Sequence, residues 1–212
     1  MKVVHHVDFW HGLRPLTPME PLRLLLSGCL HGWPCGVNGT DYGLGQGAPW
    51  LSSPLLNTVA FCPEAVSLGT PRTMPDIHGG DGFDVLDGSA RVLDEHGSDL
   101  TGAMILGAER MLTVARQHRA ELCLLTDMSA ACGTQVISLG CRYDHPRRYQ
   151  LGVGVAAAAL IRAGFPVMSQ RDHAAMSHLR AAIDSAHEVD PNAIDHHQHP
   201  WTLEYFANSE RA

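Results

Sequence analysis

Six cysteines, at positions 29, 35, 62, 123, 132 and 141, are the residues of this chain best suited to chemistry. A thiolate is both a soft metal ligand and a nucleophile, so dispersed cysteines point to a metal centre, a catalyst or inert core residues. Cys29 and Cys35 lie in "LLSGCLHGWPCG", residues 25–36, without the close spacing of a CxxC zinc or redox motif. Three others are better placed. Cys29 follows the apolar run "RLLLSG" (23–28), Cys62 closes "NTVAFC" (57–62), and Cys132 stands in "TDMSAACGT" just beyond "ELCLLTD" (121–127).

The elements that must position these thiols can be read from the same runs. Each is apolar on consecutive positions, as is "FPVMSQ" (165–170), and that pattern suits strands buried on both faces of a parallel sheet. Helical stretches alternate with them: 99–119, capped by Ser98 or Asp99; 151–163, rich in alanine and closed by Gly164; and 171–187. Strands alternating with helices predict right-handed crossovers and an open α/β sheet. In such a sheet the ligand crevice forms outside the carboxyl ends of the strands. Cys29, Cys62 and Cys132 would all sit there, so thiols from three distant segments can converge. Three converged thiolates suit zinc completed by one more ligand, or an iron-sulfur cluster in which one iron has no protein ligand. The alternative is that free cysteines are small buried hydrophobes, which fits Cys123, inside the third strand, best. Residues 33–54 and 67–98, rich in Gly with Pro or Asp, read as loops with short helical turns. Residues 1–21 read as an N-terminal extension, 22–187 as one α/β domain, and 188–212 as a C-terminal extension.

Composition excludes several partners. With 45% hydrophobic residues the chain can bury a sizeable core, and a formal charge of −7 argues against a surface built for long nucleic acids. A small anion held by a few arginines stays possible. No apolar stretch approaches the roughly 20 residues that span a bilayer, and "MKVVHHVDFWHG" lacks the pattern of a secretory signal. A cytoplasmic protein without membrane contact is the expectation, and there thiols stay reduced rather than paired as disulfides.

Six short segments, taken in order, carry a more specific signal. "SGCLHGWPCGVNG" from 27, "FCPE" (61–64), "GTPR" (69–72), "GSDLTGAMILGAERML" (97–112), "SAACG" (129–133) and "GVGVAAAALIRAGFPVMSQ" (152–170) resemble the motifs of the 2-thiouracil desulfurase family across about residues 22–172. The resemblance implies a Rossmann-like domain that holds a 4Fe-4S cluster on Cys29, Cys62 and Cys132, leaving one iron open for substrate sulfur. It also implies a desulfidase reaction: the thiocarbonyl sulfur of a thiolated uracil or thiouridine nucleotide is replaced by water oxygen and released as sulfide, without net redox change. Soft iron suits soft sulfur, and drawing electron density from the C–S bond makes the ring carbon electrophilic.

By the same resemblance Glu64, directly after Cys62-Pro63, is the general base that activates water, and Ser129 aligns the ring or stabilises developing charge. His31, Cys35 and Arg72 are further candidates for substrate contact. The chain departs from the family at two places. Ser-Pro-Ser-Cys-Gly appears as Ser129-Ala130-Ala131-Cys132-Gly133, and Arg-Tyr-Asp-Gly as Gly36-Val37-Asn38-Gly39. "CRYDHPRR" (141–148) offers Arg142, Arg147 and Arg148 to a nucleotide phosphate, although a solvated basic loop is the simpler reading. "DHHQH" (195–199) has the composition of a metal tract but no cysteine pair at zinc spacing, which predicts a surface tail. The competing function is a non-catalytic metal or iron-sulfur protein, a sensor or storage module; retention of Glu64 and Ser129 favours the enzyme.

Overall fold

The computed structural model describes residues 7–45 and 49–209. In chain order its helices and strands are α1 (Val7–Gly12), β1 (Leu22–Ser27), β2 (Leu56–Phe61), α2 (Pro63–Leu68), β3 (Asp76–His78), α3 (Gly82–Leu86), β4 (Arg91–Leu93) and α4 (Thr101–His118). They continue with β5 (Leu122–Leu125), β6 (Val136–Ser138), β7 (Tyr149–Leu151), α5 (Val155–Arg162), β8 (Val167–Ser169), α6 (His173–Ile183) and α7 (Pro200–Ser209).

Four of the strands form one parallel sheet in the order β2-β1-β5-β8. These are the four apolar runs of the sequence. Consecutive leucines suit β1 because both faces of a central strand are covered: Leu25 enters one apolar layer, while Leu22, Leu24 and Leu26 enter the other. The first layer is closed by α4 and α5. Met104, Ala108, Met111 and Ala115 recur at helical spacing along α4 and are fully buried, and nearly every side chain of α5 is buried too. The second layer is closed by Ala175, Leu179 and Ile183 of α6, with Phe9, Trp10, Leu13 and Leu16 from the N-terminal segment. The expected open α/β sheet with helices on both faces is therefore present. Residues 1–6 of the proposed N-terminal extension, 46–48 of the loop at 33–54, and 210–212 of the C-terminal extension lie outside the described residues.

Two stretches differ from expectation. Residues 67–98 are not loop with turns alone: β3 and β4 pair antiparallel, Asp76 opposite Leu93, around α3 with its Asp81–Asp84 capping box. Strands of three residues are too short to show an alternating pattern. The stretch 195–199 is not wholly a surface tail, and the C-terminal extension packs on the domain. Asp195, His196 and Thr202 are buried, Tyr205 stacks on Trp201, and the Tyr205 hydroxyl accepts a hydrogen bond from Tyr149 N at 2.8 Å. Histidines and aromatic residues read as a polar tract in sequence, yet amphipathic rings bury well when another element supplies partners.

The order of the strands decides where a site can form. From β1 the chain crosses to β2 on one side, and from β5 it crosses to β8 on the other. The connections diverge at the carboxyl ends of β1 and β5, leaving a crevice between them. No helix among the described residues is long and apolar enough to cross a membrane.

The α4 face makes this packing testable. Met104→Ala should lower unfolding free energy by about 2–5 kcal/mol in urea titrations, because it empties a fully buried site, whereas Glu109→Ala on the exposed side should stay within about 0.5 kcal/mol.

Candidate active site

At the end of β1 the backbone tightens into one 3-10 turn, Gly28–His31, which turns Cys29 toward the crevice. Gly28 is required there by close approach: a Cβ would lie 2.9 Å from Trp33 Cε3 and 3.2 Å from Cys35 Sγ. Cys29 Sγ is 2.9 Å from Thr126 Oγ1, just beyond β5. Cys62 stands at the N-cap of α2, where its sulfur accepts a hydrogen bond from Ala65 N at 3.4 Å. The local sequence explains the turn: Pro63 suits the first helical position because it has no N–H to leave unpaired, and Glu64 in the first turn suits the positive end of the helix.

Cys132 comes from the loop between β5 and β6, which is held from two sides. The opening amides of α5 donate to that loop: Val155 N to Ala130 O at 2.9 Å, and Ala156 N to Ala131 O at 2.9 Å. Helix-start amides that would otherwise lack partners are thereby satisfied. Gly154 permits the approach, since a Cβ there would lie 2.4 Å from the carbonyl carbon of Ala131. From the other side Ser129 Oγ accepts from Cys132 N at 3.1 Å and donates to Glu64 Oε1 at 3.0 Å.

These segments enclose a cavity of about 260 Å³ walled by Cys29, Cys35, Cys62 and Cys132 together with Glu64 and Ser129. That is near the small end of ligand sites, which run from about 300 to 1,000 Å³. Glu64 is 8% exposed and engaged on both oxygens. Its Oε2 accepts from Arg72 Nη2 at 2.6 Å and Nε at 3.2 Å, a forked pair. Arg72 Nη1 donates at 3.0 Å to Cys35 O and Gly69 O and at 3.2 Å to Thr70 Oγ1, so all three guanidinium nitrogens bond within the protein. Burial works against its charge, but the Glu64 carboxylate outweighs that and raises the Arg72 pKa.

The thiols differ in their acidity. Hydrogen bonding among the thiols raises the pKa of buried Cys35 and lowers those of Cys29 and Cys62; Cys29 comes down to about 7 despite burial. Burial pushes Cys132 well above the ordinary thiol value. Cys123 lies inside β5, fully buried, with its thiol pushed up to about 12 by burial alone. It faces the core and not the cavity.

The remaining candidates separate. His31 is exposed, with its ring beside Trp33, and does not line the cavity. Arg147 and Arg148 are exposed and off the cavity wall, but Arg142 is not part of a solvated loop: it lines the cavity and is paired with buried Asp76 at 2.7 Å. Tyr42, Thr126, Asp127 and Arg171 also line the cavity and were not singled out from sequence. Asp127 could have been, since an aspartate just after a strand commonly turns the chain by accepting backbone amides. Arg171 follows the last strand directly, the position where this fold places ligand contacts.

Among the described residues no three His, Cys, Asp or Glu side chains are arranged to enclose a single metal ion. What the structure offers is a ring of sulfurs on the wall of a small cavity, with Gly28 leaving room beside two of them. Such a donor set suits a polynuclear iron-sulfur group, each iron taking one thiolate, better than one tetrahedral ion.

The model of the 2-thiouracil desulfurase family matches residues 24–172. The chain belongs to that family. It is 32% identical over 150 residues to the uncharacterised protein YbbK of Bacillus subtilis strain 168, covering 70% of this chain and 96% of that one. A solved structure, of the 4Fe-4S-dependent thiouracil desulfidase TudS, is 28% identical with a TM-score of 0.54, covering 70% of this chain and 91% of that chain. Residues 173 onward lie outside the span matched to the 2-thiouracil desulfurase family.

The buried pair predicts an asymmetry. Arg72→Leu should destabilise the cluster-free protein by about 3–5 kcal/mol in chemical denaturation, because Glu64 would keep a charge with no cation beside it. Adding Glu64→Leu to that variant should recover part of the loss, since no buried charge is then left unpaired, while the carbonyls of Cys35 and Gly69 and the Ser129 hydroxyl still lack their former partners.

Proposed function

We propose that this chain is a desulfidase that holds a 4Fe-4S cluster on Cys29, Cys62 and Cys132 and exchanges the thiocarbonyl sulfur of a thiolated uracil or thiouridine nucleotide for water oxygen. One observation carries the reading: three thiols from three strand ends share a small cavity with a carboxylate, Glu64, that is held in place by Arg72 and Ser129. The family membership and the likeness to the 4Fe-4S-dependent thiouracil desulfidase TudS support it.

The bound cluster supplies a soft Lewis acid for the substrate's sulfur. Everything else falls to the chain's own residues. Glu64 takes a proton from water at Oε1, the oxygen not forked to Arg72, as the water attacks the ring carbon; a C–O bond forms. The C–S bond then breaks, its electron pair leaves with sulfur, and the proton remaining on the new oxygen passes to that sulfur, which is released as hydrosulfide while Glu64 returns its proton to solvent. The carbon returns to a carbonyl, so no electron donor is consumed. Arg72 fixes the direction of the carboxylate, and Ser129 can swing its O–H from Glu64 toward the developing charge. The cavity has a volume of only about 260 Å³ before any cluster is bound, which favours a small substrate group, and the low exposure of Glu64 limits water at the reacting centre.

A nucleotide would need a cation at the rim. Arg72 and Arg142 are both paired, to Glu64 and Asp76. Arg171 is exposed, lines the cavity, and its guanidinium makes no ion pair among the described residues, which makes it the better candidate for phosphate.

Anaerobic protein should contain iron and acid-labile sulfide, and release sulfide from a thiolated uracil or thiouridine monophosphate while taking up label from ¹⁸O water. Sulfide release without label would reject the hydrolytic route; protein that binds iron-sulfur but turns over none of the panel would point to the sensor or storage module. Glu64→Gln should keep the cluster absorbance and lose about 10²- to 10⁴-fold in turnover, with substrate affinity changed far less. Arg171→Gln should raise KM for the monophosphate and leave the free base unaffected.

A further inference from the structure

The loop that carries Ser129 and Cys132 is organised around one buried carboxylate. Asp127, 4% exposed, accepts from Met128 N at 3.0 Å, Thr134 N at 2.9 Å, Gln135 N at 3.3 Å and Val136 N at 3.4 Å, all on Oδ1. These amides lie on both sides of Cys132, so a single oxygen closes the loop. The other oxygen, Oδ2, accepts from Ser169 Oγ at 3.2 Å and from His196 Nδ1 at 2.6 Å. His196 lies far beyond the span matched to the family, in the segment that sequence alone reads as a surface tail.

The imidazole is built in rather than draped over. Its side chain is 3% exposed, its ring stacks on Trp201 at 6.2 Å with planes 9° apart, and its backbone N–H donates to Asp172 Oδ1 at 3.1 Å. Nε2 is buried with no hydrogen-bond partner. An acceptor at Oδ2 places the ring proton on Nδ1, because a bare Nε2 lone pair is tolerated in an apolar setting better than an unsatisfied N–H. Asp172 also accepts from Gln135 Nε2 at 2.6 Å, which ties the same loop to the start of α6.

We propose that His196 is a positioning residue of the active site: through Asp127 it sets the geometry of the 128–136 loop, so that a segment outside the family domain completes the site. It touches neither substrate nor the reacting atoms. Its effect on catalysis rests on the desulfidase reading, but its effect on the loop does not.

Three replacements separate the donor from the ring. His196→Phe keeps the stacked ring and removes the donor. His196→Asn puts an amide N–H where Nδ1 was, and His196→Gln puts it where Nε2 was. Hydrogen exchange of the full chain without cluster reads the loop directly, with the amides of α4 as an internal control for global folding. Amides at Thr134, Gln135 and Val136 should exchange about ten- to a hundred-fold faster in His196→Phe and His196→Gln, stay near wild type in His196→Asn, and leave α4 unchanged. In anaerobically reconstituted protein the same two variants should lose iron faster to a chelator, and His196→Asn should not. If His196→Phe does not fold, the comparison of Asn with Gln still decides. Equal protection in wild type and His196→Phe, or equal damage in Asn and Gln, would overturn the proposal and leave the segment as packing only. An absence of iron in every form, with the loop effect intact, would count against the cluster and not against the positioning role.

Discussion

A carboxylate buried at the edge of a protein interior must be matched on every oxygen, and this requirement at Glu64 organises the site. Its two oxygens join three segments that are remote in sequence. Arg72 brings in the turn after α2 and, through the carbonyl of Cys35, the loop after β1. Ser129 brings in the loop after β5, where the same hydroxyl oxygen receives the amide of Cys132. The backbone of three thiol-bearing segments is thus held relative to one group, and the thiols themselves need not bond to one another to be placed.

The sheet makes that arrangement possible. β1 and β5 lie side by side and send their connections in opposite directions, so the space above their carboxyl ends is free of crossing chain. Close contacts then carry the loops inward: Gly28 lets Cys35 come against the end of β1, and Gly154 lets α5 approach the Cys132 loop with its opening amides. A side chain at Gly154 would clash with the backbone of the Cys132 loop at 2.4 Å, and one at Gly28 would crowd Trp33 and Cys35. Packing density and site geometry are one problem here, because the apolar layer under α5 continues directly into Ala130, Ala131 and Cys132.

Two interactions alter the chemistry available to the site. The first is hydrogen bonding of Cys29 and Cys62 with Cys35, which lowers the pKa of both thiols. The second is the engagement of Arg72. Arg72 is tied to the Glu64 carboxylate through Nε and Nη2 and to backbone carbonyls through Nη1, and Arg142 is paired with Asp76, so the charge of each is already matched within the protein. Among the described arginines that line the cavity, Arg171, beyond the last strand of the sheet, is the one that makes no ion pair.

Much of this was written in one dimension. Consecutive leucines, valines and alanines announce strands and helices covered on both sides, and cysteines just past three such runs announce a shared end, because side-chain burial and strand polarity are local properties. Cys62-Pro63-Glu64 likewise encodes its own helix start. Partners were not legible. That Arg72 serves Glu64, that Cys35 is buried among the other thiols, and that His196 closes on Asp127 across 69 positions of sequence follow from which surfaces meet after folding. The short ribbons β3–β4 and β6–β7 were hidden for a related reason: three-residue strands gain their stability from what they lie against, and leave no period of their own. Residue type and spacing determined which chemistry was on offer, while the tertiary structure alone decided which polar groups spend their charge on each other and which are left to act, since a buried charge must find its partner in space and not in sequence.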